Sequence, residues 1–513
     1  MAGPASRPRG CALAGTRPDC RIGSGDSGGR QAPLRSRSAE GPLSSVPAYA
    51  LEPTAERPNA LDSYFWLLCL ALAGYAFFGK GFAYAGIPPI LVGEVLLVAG
   101  VAVILRSGCS FAVLTTVPSL LLSTMIVLVA YRAVGSVGVH GLNALRDSVI
   151  VTYGIFAFAI AALLLDKPVR IRWAISAYSK FALIFGVIGG TLTHSTQQLR
   201  DQIPVWPISG SAMLDVRAGE AAVHLAGAAI FVLLGFRKAS LAWLLALIVG
   251  IAMITPSRGA MLSCVIPIAI AVVASRQIRR FVPVMLVAAT LFIAAYAAGL
   301  NIELGDRSLG PKQMLDNVES LIGTSNASNL DGTKMWRLRW WETIKDYTFN
   351  GPYFWTGKGF GMSLAETDGF LVGLEFGGPP LRSPHNGHMT ILARMGVPGL
   401  VLWTLTGIAW FAMMGGSMLM AQSRGDRQWY NLFLWIGCYL LAIVIDATFD
   451  VALEGPMLGI WFWCLFGFGI GTTMVYRAMV TRSRVASKRT PGDPLLRMPP
   501  GMLGPRDPAQ AKL

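Results

Sequence analysis

Apolar runs of about 20 residues, broken by short polar connections, recur along this chain. A helix rising ~1.5 Å per residue needs about that many residues to cross a hydrocarbon core of ~30 Å. Twelve such segments are predicted, near 63–80, 87–106, 111–131, 149–165, 174–193, 218–235, 240–256, 259–275, 281–299, 399–421, 429–447 and 457–476. The expected fold is an all-α polytopic membrane protein with about 12 transmembrane helices and one long structured loop. The polar stretches mark the divisions: a disordered tail at 1–60, helices 1–9 within 61–299, the loop at 300–398, helices 10–12 within 399–476, and a basic tail at 477–513.

The loop is too long and polar for a connector, and loops of that length are usually functional or disordered. Its aromatic content (Trp336, Trp340, Trp341, Tyr353, Phe354, Trp355, Phe360) argues for a small folded unit. Trp336, Trp340, Trp341 and Ile344 have helical spacing, and Gly357-Lys358-Gly359-Phe360-Gly361 follows as a turn.

Composition supports the membrane reading. Hydrophobic residues make up 53% and charged residues 14%, against roughly 25% charged in soluble domains. The net charge of +15 invites a nucleic-acid reading, but its distribution excludes it. Residues 1–60 carry +3 (eight Arg, five acids) and residues 477–513 carry +6 (eight Lys/Arg, two Asp), so nine of the fifteen charges lie in the tails. With the N-terminus inside, the inner connections hold eleven Lys/Arg and the outer short ones six. The positive-inside rule then gives N-in/C-in and puts the 300–398 loop outside. The seven cysteines form no CxxC pair and signal neither a disulfide framework nor a zinc site. The first 60 residues hold no apolar signal-peptide core.

Several motifs are absent. No Walker motif suggests an ATP-driven pump and no HExxH occurs. His385 and His388, spaced i, i+3 around Asn386-Gly387, make a poor metal pair. No metal or cofactor is expected. Three clusters stand out instead. Arg258 sits in the turn Thr255-Pro256-Ser257-Arg258-Gly259 between two outer helix ends. An Arg at that depth is either a snorkelling anchor or part of a ligand path. Arg217, Glu220 and His224, at i, i+3 and i+7, share one helical face. That stripe either lines a polar cavity or is a buried ion pair beside a satisfied histidine. In Arg382-Ser383-Pro384-His385-Asn386-Gly387-His388 the loop returns to the membrane. A histidine at such a junction is accessible to substrate and is a candidate general base. Arginine grips phosphates bidentately, and neutral histidine accepts a proton from an attacking hydroxyl. Together these residues suggest a metal-free, anion-binding, base-equipped site at the outer membrane–water boundary. A lipid diphosphate suits it, with the chain in the bilayer and a sugar against the loop's aromatic rings.

In order and spacing the chain resembles the O-antigen ligase and polymerase superfamily, over roughly 170–475. Ser257-Arg258-Gly259 is similar to that family's Ser-Arg-Gly turn. Trp336-Arg337-Leu338-Arg339-Trp340-Trp341, the Gly357–Gly361 turn and His385-Asn386 resemble its long periplasmic loop. Met395-Gly396-Val397-Pro398-Gly399-Leu400 resembles the start of its following helix, and Phe449-Asp450-Val451-Ala452-Leu453-Glu454-Gly455-Pro456 its last periplasmic turn. The resemblance implies a metal-independent, GT-C-like membrane glycosyltransferase of the bacterial inner membrane, moving a glycan from undecaprenyl diphosphate to an acceptor hydroxyl with inversion. Carried over by motif, Arg258 and Arg217 would bind the diphosphate, Arg217 on the looser match. His385 would be the general base, with Arg337 and Arg382 as supporting loop contacts. Glu220, His224, His388 and Glu454 complete the candidate surroundings. The partners implied are the lipid-linked donor, a glycan or lipid A–core acceptor, membrane lipids and, for a polymerase, a chain-length regulator. Polymerisation of O antigen or exopolysaccharide and ligation to lipid A–core differ only in acceptor. A transporter or flippase is the competing class; it calls for charges near mid-bilayer. Glu94 is embedded in the second predicted helix and has no assigned role, and the aromatic loop serves no obvious transport purpose.

Overall fold

The computed structural model describes residues 59–488 apart from 200, 277, 301, 305–306, 323–327 and 372–381. Residues 1–58 and 489–513, which hold most of the two expected tails, and part of the expected loop lie outside the described residues.

The protein is built of helices. In chain order the longer ones are α1 (Ala60–Phe78), α2 (Val92–Arg106), α3 (Val117–His140), α4 (Leu142–Thr152), α5 (Ile155–Asp166), α6 (Arg170–Gln198), α7 (Ala218–Leu233), α8 (Leu241–Ile254), α9 (Arg258–Ala274), α10 (Ile278–Ala297), α11 (Pro311–Ile322), α12 (Ser328–Lys345), α13 (Gly387–Ser423), α14 (Arg427–Asp446) and α15 (Pro456–Lys488). The strands among the described residues form two small hairpins, Gly86–Ile87 with Ile90–Leu91 and Ile302–Leu304 with Arg307–Leu309. Six helices (α1, α3, α6, α13, α14, α15) are long and apolar enough to cross a membrane. The pair α4–α5, bent by 42°, makes a seventh span if counted as one. Helices α7, α8, α9 and most of α10 are apolar but shorter. The described residues thus form an all-α polytopic membrane protein, with six or seven helices of spanning length where the sequence reading expects twelve.

Lipid imposes this architecture, because every backbone N–H and C=O inside it needs a partner within the chain and a helix supplies them all. Helix packing is fixed by indole N–H groups that donate to carbonyls of neighbouring helices. Trp461 reaches Leu72 at 2.8 Å, Trp410 reaches Phe466 at 2.9 Å, and Trp435 reaches Gly227 at 3.1 Å. Helix α15 is the central post: 94% of its most apolar stretch is buried inside the protein. At the start of α1, Asn59 caps the helix and Asp62 takes Arg170 at 2.6 Å and Lys167 at 3.2 Å.

Two boundaries differ from the sequence expectation. The loop ends at 386 rather than 398, because Asn386 caps a helix that starts at Gly387. That helix is broken at Gly396 (φ 69°, ψ −169°) and resumes through Pro398 to Ser423. The Gly396–Pro398 pair reads in sequence as a boundary, but here it marks a break inside α13. Likewise the segment expected at 149–165 begins at Leu142, with its bend at Tyr153–Gly154.

Candidate functional site

The break in α13 explains two motifs at once. Proline at 398 has no N–H to donate and Gly396 leaves the helical conformation, so the carbonyls of Ala393 and Arg394 lose their helical partners. The glycine-rich turn supplies replacements: Lys358 N donates to Ala393 O at 2.7 Å and Gly359 N to Arg394 O at 3.1 Å. Val397 N donates to Phe354 O at 2.8 Å. The fit demands glycine on both sides. A Cβ on Gly396 would collide with the Phe354 carbonyl, one on Gly357 with the backbone at Arg394, and both residues have positive φ. The 357–361 turn and the 395–400 segment are therefore two halves of one joint, which presents the residues just before α13.

His385 is among them. It holds a left-handed backbone (φ 50°), rare for a residue with a Cβ and worth about 1–3 kcal/mol of strain. Its neighbours are tied on both sides. Trp341 Nε1 donates to Pro384 O at 2.9 Å, and Gly387 N donates to Ala447 O at 2.7 Å. The Asn386 side chain accepts from His388 N and Met389 N at 2.9 and 3.1 Å. Strain of this kind persists only where the surroundings over-determine it, which is characteristic of functional positions.

The partner of His385 is Asp450, in the turn after α14. Nδ1 of His385 lies 3.3 Å from Oδ1 of Asp450, and Nε2 has no partner among the described residues. Arg217, the N-cap of α7, approaches the same carboxylate with Nη1 at 3.3 and 3.4 Å. Next to Asp450, the Phe449 carbonyl accepts from Arg337 Nη1 at 2.8 Å, and the Phe449 side chain packs on Gly259, the residue after Arg258. One turn between α14 and α15 therefore gathers Arg217, Arg337, His385 and the start of α9. Arg258 is the half-buried first residue of α9. Helix α11 closes over the preceding turn, with Asn317 Nδ2 donating to Thr255 O at 2.8 Å.

Electrostatics hold this arrangement charged. Burial works against ionisation of Asp450, but the hydrogen bond from His385 and the charge of Arg217 outweigh it, so its carboxyl stays well below the ordinary range. Burial also opposes the charge on Arg217, and Asp450, Glu220 and Asp215 together outweigh it and raise its pKa. Above the site, Trp336 lies 6.4 Å from the His385 ring and packs edge-on against Trp340 and Phe370.

The other sequence candidates lie elsewhere. Arg382 donates to Asp147 at 3.3 Å and to Gly361 O at 3.0 Å. Asp147 also pairs with buried Arg394 at 3.0 Å and accepts from Gly361 N at 3.0 Å. This knot fastens the glycine-rich turn to α4. Glu454 accepts from Thr390 Oγ1 at 2.6 Å; burial pushes its carboxyl above the ordinary range despite that bond. His388 accepts from Trp403 Nε1 at 3.1 Å on Nδ1 and faces Val444 O at 3.4 Å with Nε2, so both ring nitrogens serve packing. Glu220 is buried, and its carboxylate lies 3.5 Å from the backbone N of Arg217. His224 leaves the stripe altogether. It is 1% exposed, bonds Tyr439 Oη at 2.6 Å, and sits among the rings of Phe185 and Trp461. The polar-cavity reading of that helical face is corrected accordingly: beyond its first turn, the face meets an aromatic core.

Asp450, Asp147 and Arg394 were not singled out from the sequence. Asp450 lies within the 449–456 segment, but nothing in that segment alone ranks it above Glu454. Among the described residues, no group of three or more His, Cys, Asp or Glu side chains is placed to hold a metal ion.

Residues 243–404 match the family model described as O-antigen ligase. This segment belongs to the O-antigen ligase family. The match bears out the resemblance to the O-antigen ligase and polymerase superfamily, and it contains Arg258, Arg337, Arg382, His385 and the α13 joint. Arg217 and Asp450 lie outside the matched residues and join the site only through the fold. No curated protein matches the chain. An O-antigen ligase family segment in a multi-pass helical membrane protein indicates an enzyme of the ligase or polymerase type, acting on lipid-linked glycans.

Proposed function

We propose that this protein transfers a glycan from undecaprenyl diphosphate to an acceptor sugar hydroxyl at the periplasmic face of the inner membrane, through a twelve-span, N-in/C-in topology. The observation that carries this reading is the Asp450 carboxylate, shared by His385 and Arg217 beside the start of α9.

The chemistry follows from that arrangement. Asp450 accepts the Nδ1 proton of His385, which fixes the tautomer and leaves the Nε2 lone pair available. Nε2 takes the proton of the acceptor hydroxyl as its oxygen attacks the anomeric carbon. The bond from that carbon to the diphosphate oxygen breaks, and the electron pair leaves with the lipid diphosphate. Arg258 and Arg217 oppose the charge that grows on the leaving oxygen, a contribution larger in the transition state than in the ground state. Attack opposite the leaving group inverts the anomeric centre. Trp336 offers an aromatic face beside the base for a sugar ring.

Polymerisation of O-antigen or exopolysaccharide repeats is the first reading. Ligation to lipid A–core is the second, favoured by the description of the matching family. Deleting the gene and examining lipopolysaccharide and secreted polysaccharide on gels separates them. Core bearing a single repeat, or lost exopolysaccharide with normal lipopolysaccharide, indicates a polymerase; bare core with long glycan still on the lipid carrier indicates a ligase. Complementation with His385→Ala should fail in either case. Full rescue would overturn the base mechanism and return transport as the leading alternative.

A further inference from the structure

A groove of about 610 Å³ opens between the start of α3, the middle of α13 and the end of α15, away from the site described above. Its size is that of a small-molecule pocket, ~300–1,000 Å³. Val117 and Pro118 of α3, Ala409 and Met413 of α13 and Met474 of α15 wall it with hydrocarbon, and Arg477 stands at its rim. The alanines on α13 leave space that larger side chains would fill. A wall of this kind gains nothing from water and favours an alkyl chain.

The charge at the rim gives the groove polarity. Arg477 is exposed and has no ion pair among the described residues. Its Nη2 lies 3.8 Å from where a Cβ on Gly416 would sit, so the guanidinium lies over the α13 backbone at one end of the groove. Asp426, on the connection from α13 to α14, is already engaged by Tyr476 at 2.6 Å and Arg424 at 3.6 Å. An apolar slot with an uncompensated guanidinium at one end is complementary to an amphiphile with an anionic head. The same helix ends carry Arg424, Arg427 and Arg482, which the positive-inside pattern places at the inner leaflet. Basic pockets between helices on that side bind anionic lipid head groups.

We propose that this groove binds one anionic glycerophospholipid of the inner leaflet, with an acyl chain along Ala409–Met413 and its phosphate on Arg477. The proposal rests on the membrane-spanning topology and is independent of the glycosyl-transfer chemistry.

Native mass spectrometry of the full-length protein, purified in mild detergent and stripped of lipid, tests it. The protein is titrated in parallel with phosphatidylglycerol and with phosphatidylcholine of the same chains. One phosphatidylglycerol should be retained at least tenfold more strongly. Arg477→Ala should lower that to the phosphatidylcholine level, Arg477→Lys should keep the preference, and Ala412→Phe should remove both adducts by filling the groove. Should Ala412→Phe fail to fold, the Ala/Lys pair at 477 still decides. Equal retention of both lipids by the wild type, or an undiminished preference in Arg477→Ala, would overturn the proposal. So would preferential capture of undecaprenyl phosphate, which would make the groove a carrier-lipid site.

Discussion

His385 Nδ1 and Asp450 Oδ1 stand 3.3 Å apart, although 65 positions separate them in the chain. Asp450 also holds Arg217, so one carboxylate meets both an imidazole and a guanidinium. In Asp450→Asn the shape is kept while the charge that, on the proposed mechanism, selects the His385 tautomer is lost. Product formation should fall about 10²–10⁴-fold, by analogy with loss of the orienting carboxylate in hydrolytic triads. The polysaccharide made by a complemented deletion strain measures this, and wild-type output from Asp450→Asn would remove Asp450 from the mechanism.

The two loop carboxylates differ in their dependence on pH. Asp450 is held below its ordinary range, so its contribution to stability is complete above about pH 4 and is lost as pH falls through the depressed value. Glu454 is raised, so its contribution is present below the ordinary carboxylate range and is lost as pH rises through the raised value. Thermal unfolding of the solubilised protein from pH 4 to 8 should show Glu454→Gln with a flatter dependence than the wild type. Asp450→Asn should leave the slope in that range unchanged.

Asp147 and Arg394 are 8% and 2% exposed. Asp147→Ala strands the Arg394 charge in the interior, a change that typically costs about 3–5 kcal/mol. Hydrogen exchange should accelerate in 357–371 and 382–395, which this carboxylate ties to α4. Unchanged protection would show that the turn is held by its backbone bonds alone.

Gly396→Ala forces a Cβ against the Phe354 carbonyl at a positive φ. The strained backbone alone costs about 1–3 kcal/mol, and the collision adds to it. The melting temperature should drop and product should fall with it, because the joint positions His385. An unchanged melting temperature would mean that the break in α13 relaxes without cost.

His224→Phe keeps the aromatic packing and leaves Tyr439 Oη without its partner, a loss of about 1–3 kcal/mol. Stability should fall while product formation persists, in contrast to His385→Ala. Loss of activity at wild-type stability would return His224 to the site.

Much of the fold was legible because lipid leaves the chain few options. A run of about 20 apolar residues has to satisfy its own backbone, and a helix does so, wherever its neighbours lie. Six or seven of the predicted segments accordingly became helices long enough to span, and others became shorter apolar helices. Arg258, Arg337 and His385 are candidates for another reason: each sits in a short motif that resembles the family's and within the matched segment. The expected boundary at 398 falls at the break at Gly396, where glycine and proline interrupt a helix that begins earlier, at Gly387. His224 is the satisfied histidine of the two readings, and periodicity alone could not choose between them because it assigns residues to a face without saying what that face meets.

The sequence by itself determined the helices, the family segment and the types of group available for catalysis. Only the tertiary structure decided that Asp450, rather than Glu454, meets His385, and that the 357–361 turn closes the break at Gly396. Both are contacts between segments far apart in the chain, set by how α7, α12, α13 and α14 converge. Local propensity and composition carry no information about that convergence.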